Sequence, residues 1–278
     1  MPRHVSRYRV QLYDVNAFGE LGAATVLRFM QQTASDASAA AGFDVEWYAD
    51  HGTIWLIRRS TVEYVTPAIY RDELAVHTWV SDIRRVRSRR EYELRRIGDD
   101  TLIARGVSDW VYVDTASGKP VRAPEELQRG LMPGGVVAQE RRPQKPALPP
   151  PNAFRTARRV EFAAIDSVVH VNNAHYAVYL EQDLWDALAA HGWTLSPVTS
   201  DGLLRARVYD IEYFDAAVYG DQLTDLVWVT NVAADGFRCE HTLERDGRRL
   251  LHAVSEWRWA AGALPPALQR AAHALAIV

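Results

Sequence analysis

Two segments of the 278-residue chain align without a gap at a constant offset of 150, Tyr8 to Phe43 against Arg158 to Trp193. Arg9, Val10, Ala24, Gln32, Asp36, Ala37, Ala39, Ala40 and Gly42 recur as Arg159, Val160, Ala174, Gln182, Asp186, Ala187, Ala189, Ala190 and Gly192. Further on the offset drifts to 149, where Val62-Glu63-Tyr64 and Tyr70-Arg71-Asp72-Glu73-Leu74 match Ile211-Glu212-Tyr213 and Tyr219-Gly220-Asp221-Gln222-Leu223. It reaches 147 at Ser108-Asp109-Trp110 against Ser255-Glu256-Trp257. Ordered blocks with small drifts are what duplication followed by loop-length change leaves behind. The chain is therefore two copies of one unit of about 140 residues, a size at which each can bury its own core.

Each copy reads as strand, loop, helix and then several strands. Val26, Leu27, Met30, Ala34, Ala37 and Ala41 put an apolar stripe on one helix face, and Tyr176, Ala177, Leu180, Leu184, Ala187 and His191 occupy the matching places. Gly42 and Gly192 stand where a helix end favours a left-handed residue. Strands are expected at 54–64, 74–81, 88–96 and 103–113, and again at 208–213, 223–231, 237–245 and 250–259, from β-branched and aromatic enrichment. One long helix against a largely antiparallel sheet is an α+β unit. The expected boundaries are a first unit over 1–130, a linker over 131–157 stiffened by Pro143, Pro146 and Pro149-Pro150-Pro151, a second unit over 158–262 and a tail over 263–278.

Composition removes several classes. With 48% hydrophobic and 24% charged residues the chain is globular, and a net charge of -3 with a pI of about 6.3 lacks the basic field of a nucleic-acid binder. No run approaches a membrane span, and the N-terminus enters a strand-like alternation without a signal core. Cys239 is the single cysteine, so neither an internal disulfide nor a cysteine zinc site can form, and a reducing cytoplasmic setting is expected.

Chemistry is best sought where the copies differ. The loop before the second helix reads Asp166-Ser167-Val168-Val169-His170-Val171-Asn172-Asn173, whereas the first copy has Asn16-Ala17-Phe18-Gly19-Glu20-Leu21-Gly22-Ala23. Only the second copy combines a carboxylate, an imidazole and paired amides. The start of a helix offers unpaired N–H donors and a positive dipole end, suited to an oxyanion developing on a thioester or ester carbonyl. Asp166 is then a general base or nucleophile, with His170 orienting it or moving a proton, and Asn172 and Asn173 assisting. The plainer reading is that Asp166 and Asn172 cap the helix.

Asp166, His170-Val171-Asn172-Asn173-Ala174, Tyr176 and Tyr179-Leu180-Glu181 resemble the signature of hotdog-fold thioesterases. Leu27-Arg28-Phe29-Met30-Gln31-Gln32-Thr33-Ala34, Ile54-Trp55-Leu56-Ile57-Arg58-Arg59, His77-Thr78-Trp79-Val80-Ser81 and Ser108-Asp109-Trp110-Val111 resemble the acyl-acyl-carrier-protein thioesterases of plant plastids and their bacterial relatives. The resemblance implies a tandem double hotdog, each half an antiparallel sheet wrapped around one long helix. It implies hydrolysis of fatty acyl thioesters on acyl carrier protein or CoA, without cofactor or metal, in fatty acid biosynthesis. Catalysis would come from the C-terminal half, while the N-terminal half, its site degenerate, shapes the acyl tunnel. A homodimer of double hotdogs is one assembly it allows. Two positions depart from the plant pattern: Val168 stands where an Asn is expected, and Phe214-Asp215-Ala216-Ala217 stands where a Glu-Cys pair is expected. That favours a simpler hydrolysis centred on Asp166.

Other features carry two readings each. Arg84, Arg85, Arg87, Arg89, Arg90, Arg95 and Arg96 crowd one segment; they are either a docking patch for an acidic carrier, with Arg87 and Arg89 as contacts, or a strand whose arginines pair with local carboxylates. Trp55 is a tunnel wall or a core residue, and Arg59 is the nearby candidate for substrate contact. His175 lacks neighbours spaced for a metal site, and Glu181 lies two turns into the helix without a clear facing. Rival functions are a hydratase or dehydratase acting on acyl thioesters and a non-catalytic acyl-thioester-binding module.

Overall fold

The computed structural model describes residues 3–131, 146–194 and 203–276 and divides the chain into two compact units, Met1–Arg142 and Pro143–Val278. The first contains β1 (His4–Arg9), α1 (Ala23–Ala40), α2 (Val45–Asp50), β2 (Thr53–Tyr64), β3 (Glu73–Arg84), β4 (Arg87–Arg96), β5 (Leu102–Asp114) and α3 (Glu125–Gly130). The second contains β6 (Phe154–Arg159), α4 (His175–Ala190), β7 (Leu204–Tyr213), β8 (Gln222–Ala233), β9 (Gly236–Arg245), β10 (Arg248–Trp259) and α5 (Pro266–Ala274). Within the first unit the strand order is β1-β3-β4-β5-β2, and within the second it is β6-β8-β9-β10-β7, the same antiparallel arrangement twice. Each unit is thus the α+β hotdog plan, one long helix packed on one sheet.

The helices sit as the stripes require. Val26, Leu27, Met30, Ala34 and Ala37 are buried on α1, and Tyr176, Ala177, Leu180, Leu184 and Ala187 on α4. Both helices end alike: Gly42 and Gly192 adopt φ of +90° and +85°, and the amides of Phe43 and Trp193 reach back to the carbonyls of Ser38 and Leu188 at 3.0 Å. That paired bonding satisfies the terminal carbonyls a helix otherwise leaves open.

The strand readings hold with extensions, the longest at β7, which starts at Leu204 rather than near 208, and the next at β3, which runs to Arg84 rather than 81. Residues 132–145, most of the proline-rich stretch, lie outside the described residues. At its far end the stretch is not linker, because β6 begins at Phe154 and pairs with β8 from Phe154↔Val227 to Arg159↔Gln222. Alternation explains this: Thr156 and Arg158 point inward to the Asp183 carboxylate on α4, at 3.2 and 2.6 Å, which gives an edge strand buried anchors. α2 and α3 were not visible in the sequence; they bring Trp47, Tyr48 and Leu127 to a small cluster with Phe43, Val80 and Tyr112.

Candidate active site

The loop that leads into α4 is closed by backbone bonds at every level. Asn172 N–H donates to Ala164 at 2.9 Å, Val171 N–H to Ala217 at 2.9 Å, Asp166 N–H to His170 at 2.9 Å and Val169 N–H to Asp166 at 3.0 Å. The first unit repeats all four: Gly22 to Asp14, Leu21 to Ala68, Asn16 to Glu20 and Gly19 to Asn16, at 2.7–3.0 Å. The duplication therefore extends to the backbone of the site itself.

On this shared frame the side chains can be compared one by one. Asn16 Oδ1 accepts from Phe18 N–H at 2.9 Å, and Asp166 Oδ1 accepts from Val168 N–H at 3.1 Å, so one oxygen of Asp166 performs the turn-forming task that an amide performs in the first unit. The second oxygen is extra. Asn172 Nδ2 donates to it at 3.2 Å, a contact without counterpart in the first unit, where Gly22 holds that place. Asn172 Oδ1 in turn accepts from Ala174 N–H at 2.9 Å. The capping expectation holds for one of the two residues: Asn172, through the Ala174 N–H, caps the entry to α4, whereas Asp166 bonds only the loop.

The remaining expected groups fall around this pair. His170 is half-buried beside Asp166 in the loop, and its ring makes no hydrogen bond among the described residues. Asn173 is half-buried; its carbonyl accepts from the Tyr213 hydroxyl at 3.1 Å, while its N–H has no acceptor among the described residues. Val168 contributes only its backbone to Asp166, and Asp215, where the plant pattern differs, is paired with Arg248 at 3.2 Å and Arg245 at 3.5 Å.

Beside the loop lies a cluster that sequence reasoning missed. Glu161 accepts from Tyr179 at 2.9 Å and bonds His175 Nε2 at 3.1 Å. Burial pushes the Glu161 carboxyl up, but its own backbone N–H, Tyr179 and His175 outweigh that and hold it below the usual carboxylate range. The Arg158 guanidinium lies 4.1 Å over the Tyr179 ring and pairs with Asp183 at 2.6 Å and Asp225 at 2.5 Å. A signal was available: the first copy has Tyr8, Gln11, Thr25, Phe29, Thr33 and Val76 at these six places, so every member is particular to the second unit. Glu181 on α4 is raised by burial, partly offset by a hydrogen bond from Trp185. Among the described residues no group of three His, Cys, Asp or Glu side chains could hold a metal ion.

The substrate candidates of the first unit are spread along the sheet. Trp55 lies on β2 with its ring 4.9 Å from that of Tyr112, against the small cluster. Arg59 follows a bulge on β2 opposite Asp109. Arg87 is exposed at the start of β4, whereas Arg89 is tied to Glu91 at 3.3 Å and Asp109 at 3.6 Å. Arg84, Arg95 and Arg96 are likewise paired with carboxylates. Most of the arginine run is therefore internally neutralised.

No helix among the described residues is long and apolar enough to cross a membrane. Residues 2–131 match the family described as the acyl-ACP thioesterase N-terminal domain. The chain is 23% identical over 271 residues to the chloroplastic palmitoyl-acyl carrier protein thioesterase of Arabidopsis thaliana, an alignment covering 90% of this chain and 62% of that relative's length. Among solved structures it is similar to a Lactobacillus plantarum protein assigned as an oleoyl thioesterase, with a TM-score of 0.80 and 21% identity over 95% of this chain and 97% of that one. It is also similar to the 12:0-ACP thioesterase of Umbellularia californica, with a TM-score of 0.77 and 18% identity over 92% and 94% of the two chains. The repeated hotdog plan agrees with the fold of these two structures, and residues 2–131 match the N-terminal domain of the acyl-ACP thioesterase family.

Proposed function

We propose that the chain hydrolyses fatty acyl thioesters, on acyl carrier protein or CoA, to the free acid and the carrier thiol, with Asp166 at the centre of the reaction. The observation that carries this is the division of labour within one carboxylate: Oδ1 is used for the turn, as Asn16 is, and Oδ2 is left for chemistry under the hold of Asn172. Asp166 acting as base takes a proton from water while the water oxygen bonds to the thioester carbonyl carbon. The oxyanion formed faces the Asn173 N–H and the start of α4, an interaction worth roughly 3 kcal/mol of barrier per good donor. The carbon–sulfur bond then breaks, and the proton passes to the departing thiolate, with His170 as carrier. Direct attack by Asp166 on the carbonyl carbon is the alternative route to the same products.

In this reading the first unit, whose loop carries Asn16, Glu20 and Gly22 instead, receives the acyl chain. Trp55 and Arg59 are its proposed contacts, and Arg87 with Arg89 the proposed meeting point with an acidic carrier. A cytoplasmic setting is part of the proposal, supported by the buried single thiol of Cys239.

The test is release of free thiol from acyl-ACP and acyl-CoA by the wild type and by Asp166→Asn. The first unit shows that an asparagine makes the same turn, so this variant keeps the turn and loses the charge together with the bond from Asn172 Nδ2. We expect kcat to fall by about 10²-fold or more, the scale of a lost acid–base group, with an unchanged melting temperature. Full hydrolysis by the variant would remove Asp166 from the mechanism. A hydratase would release no thiol at all.

A further inference from the structure

Arg90 lies on the helix-facing side of the first unit's sheet and is only 5% exposed. The register sets it in a buried row with Val80, Ser108 and Ser60, next to the row of Thr78, Tyr92, Gly106 and Val62. None of these side chains carries a negative charge. Arg90 Nη1 is wholly buried without a hydrogen-bond partner, and the Tyr92 hydroxyl and Trp110 indole N–H beside it lack hydrogen bonds of good geometry. The neighbouring Glu91 points to the opposite face, where it accepts from Ser81 at 2.7 Å and Arg89 at 3.3 Å. Tyr92 and Tyr48 are the ionisable groups that act on the guanidinium.

The fold does not require a cation here. In the second unit Cys239 occupies the same register position, between Val229 and Ser255 as Arg90 lies between Val80 and Ser108. There Ser255 Oγ bonds His241 Nε2 at 2.8 Å and accepts from Trp257 Nε1 at 2.9 Å, while His241 Nδ1 is buried without a partner, and no charged group sits at the Cys239 position. A guanidinium buried without an anion is among the most unfavourable arrangements in a protein interior, and the usual remedy is a paired carboxylate. Among the described residues of the first unit no carboxylate pairs with Arg90.

We propose that Arg90 is a ligand-binding residue that receives an oxygen function, a carboxylate best of all, at the far end of the acyl chain. The class of substrate is then an acyl thioester whose chain is oxygenated at its distal end. This rests on the reading that the first unit receives the acyl chain. A planar guanidinium fits a carboxylate with two parallel hydrogen bonds, and Tyr92 and Ser108 can add donors. The space over Gly106 is filled by the Met30 thioether, from which a Cβ there would lie 2.5 Å, so the proposal requires Met30 to change rotamer when the ligand enters. Met is the side chain most able to change rotamer at such a point.

The experiment compares wild type with Arg90→Met on CoA thioesters matched in length, one series ending in methyl and the other in carboxylate. Wild type is expected to favour the carboxylate series at least tenfold in kcat/KM, and Arg90→Met to lose that preference. A wild-type preference for methyl ends, or a preference unaltered in the variant, overturns the proposal. Arg90→Met without ligand should melt higher than wild type, because an uncompensated charge has been removed; a lower melting temperature would mean a structural partner and would also overturn it. If neither series yields thiol, the thioesterase reading fails, and free dicarboxylates of the same lengths decide Arg90 separately. A rise in melting temperature in wild type that is absent in Arg90→Met supports the ligand role, and no rise refutes it.

Discussion

Val169 adopts φ of +66° and is 68% exposed, while its counterpart Gly19 adopts φ of +74°. A β-branched residue in the left-handed region carries strain of about 1–2 kcal/mol that glycine avoids. The strained residue lies only in the copy that holds Asp166 and His170, immediately before His170. Replacing Val169 by Gly should raise stability by about 1 kcal/mol after the extra flexibility of glycine in the unfolded chain is subtracted. It should also lower kcat by loosening the backbone on which Asp166 and His170 are hung. Thermal melts and thiol-release rates on the same preparation check both, and a more stable variant of unchanged kcat would leave the strain without a catalytic role. Asp166, His170, Asn172 and Asn173 stand out as candidates in the sequence because an internal copy serves as the reference. Arg90 does not, since its run of arginines offers no way to tell the one that turns inward from those that pair with carboxylates.

Along the elements, boundaries followed from patterning wherever the pattern was long, as in the stripes of α1 and α4 and the alternation of β2 to β5. The six-residue helices α2 and α3 carry too little periodicity to register, and β7 begins early because Leu204 pairs with Trp259 at the far end of β10. Long-range polar networks are hidden for a different reason. Arg158, Asp183 and Asp225 are far apart in the chain and meet only when β6 pairs with β8 beneath α4. Burial, and then the second carboxylate, push Asp183 up to about 8, against the pull of Arg158. Asp225 is raised as well by burial, so the pair takes up a proton more readily than free carboxylates do. With the folded value above the usual 3.8, this proton's stabilisation is complete in acid and is lost as pH rises towards 8. Asp183→Asn should therefore flatten the decline in melting temperature between about pH 5 and 8. A decline as steep as in wild type would place the titration elsewhere.

At the scale of the molecule, charge is spent locally. The net charge is -3, and Arg84, Arg89, Arg95 and Arg96 are each engaged by a carboxylate, so long-range attraction for an acidic carrier must rest on few residues. Arg87 is exposed, and Arg89 shares its face two positions along β4. Reversing both to Glu should raise KM for acyl-ACP several-fold at low ionic strength and leave KM for acyl-CoA little changed. Equal KM shifts for the two carriers, or none, would count against carrier docking on β4.

Cys239 is fully buried between β8 and β10, and burial pushes its thiol far above the ordinary range. Thiolate is the reactive form, so the native protein is inert toward disulfide dyes. Colour developed in the thiol-release assay then has no background from the protein itself. In denaturant the same dye becomes a counter of unfolded chains, one equivalent for each molecule that opens.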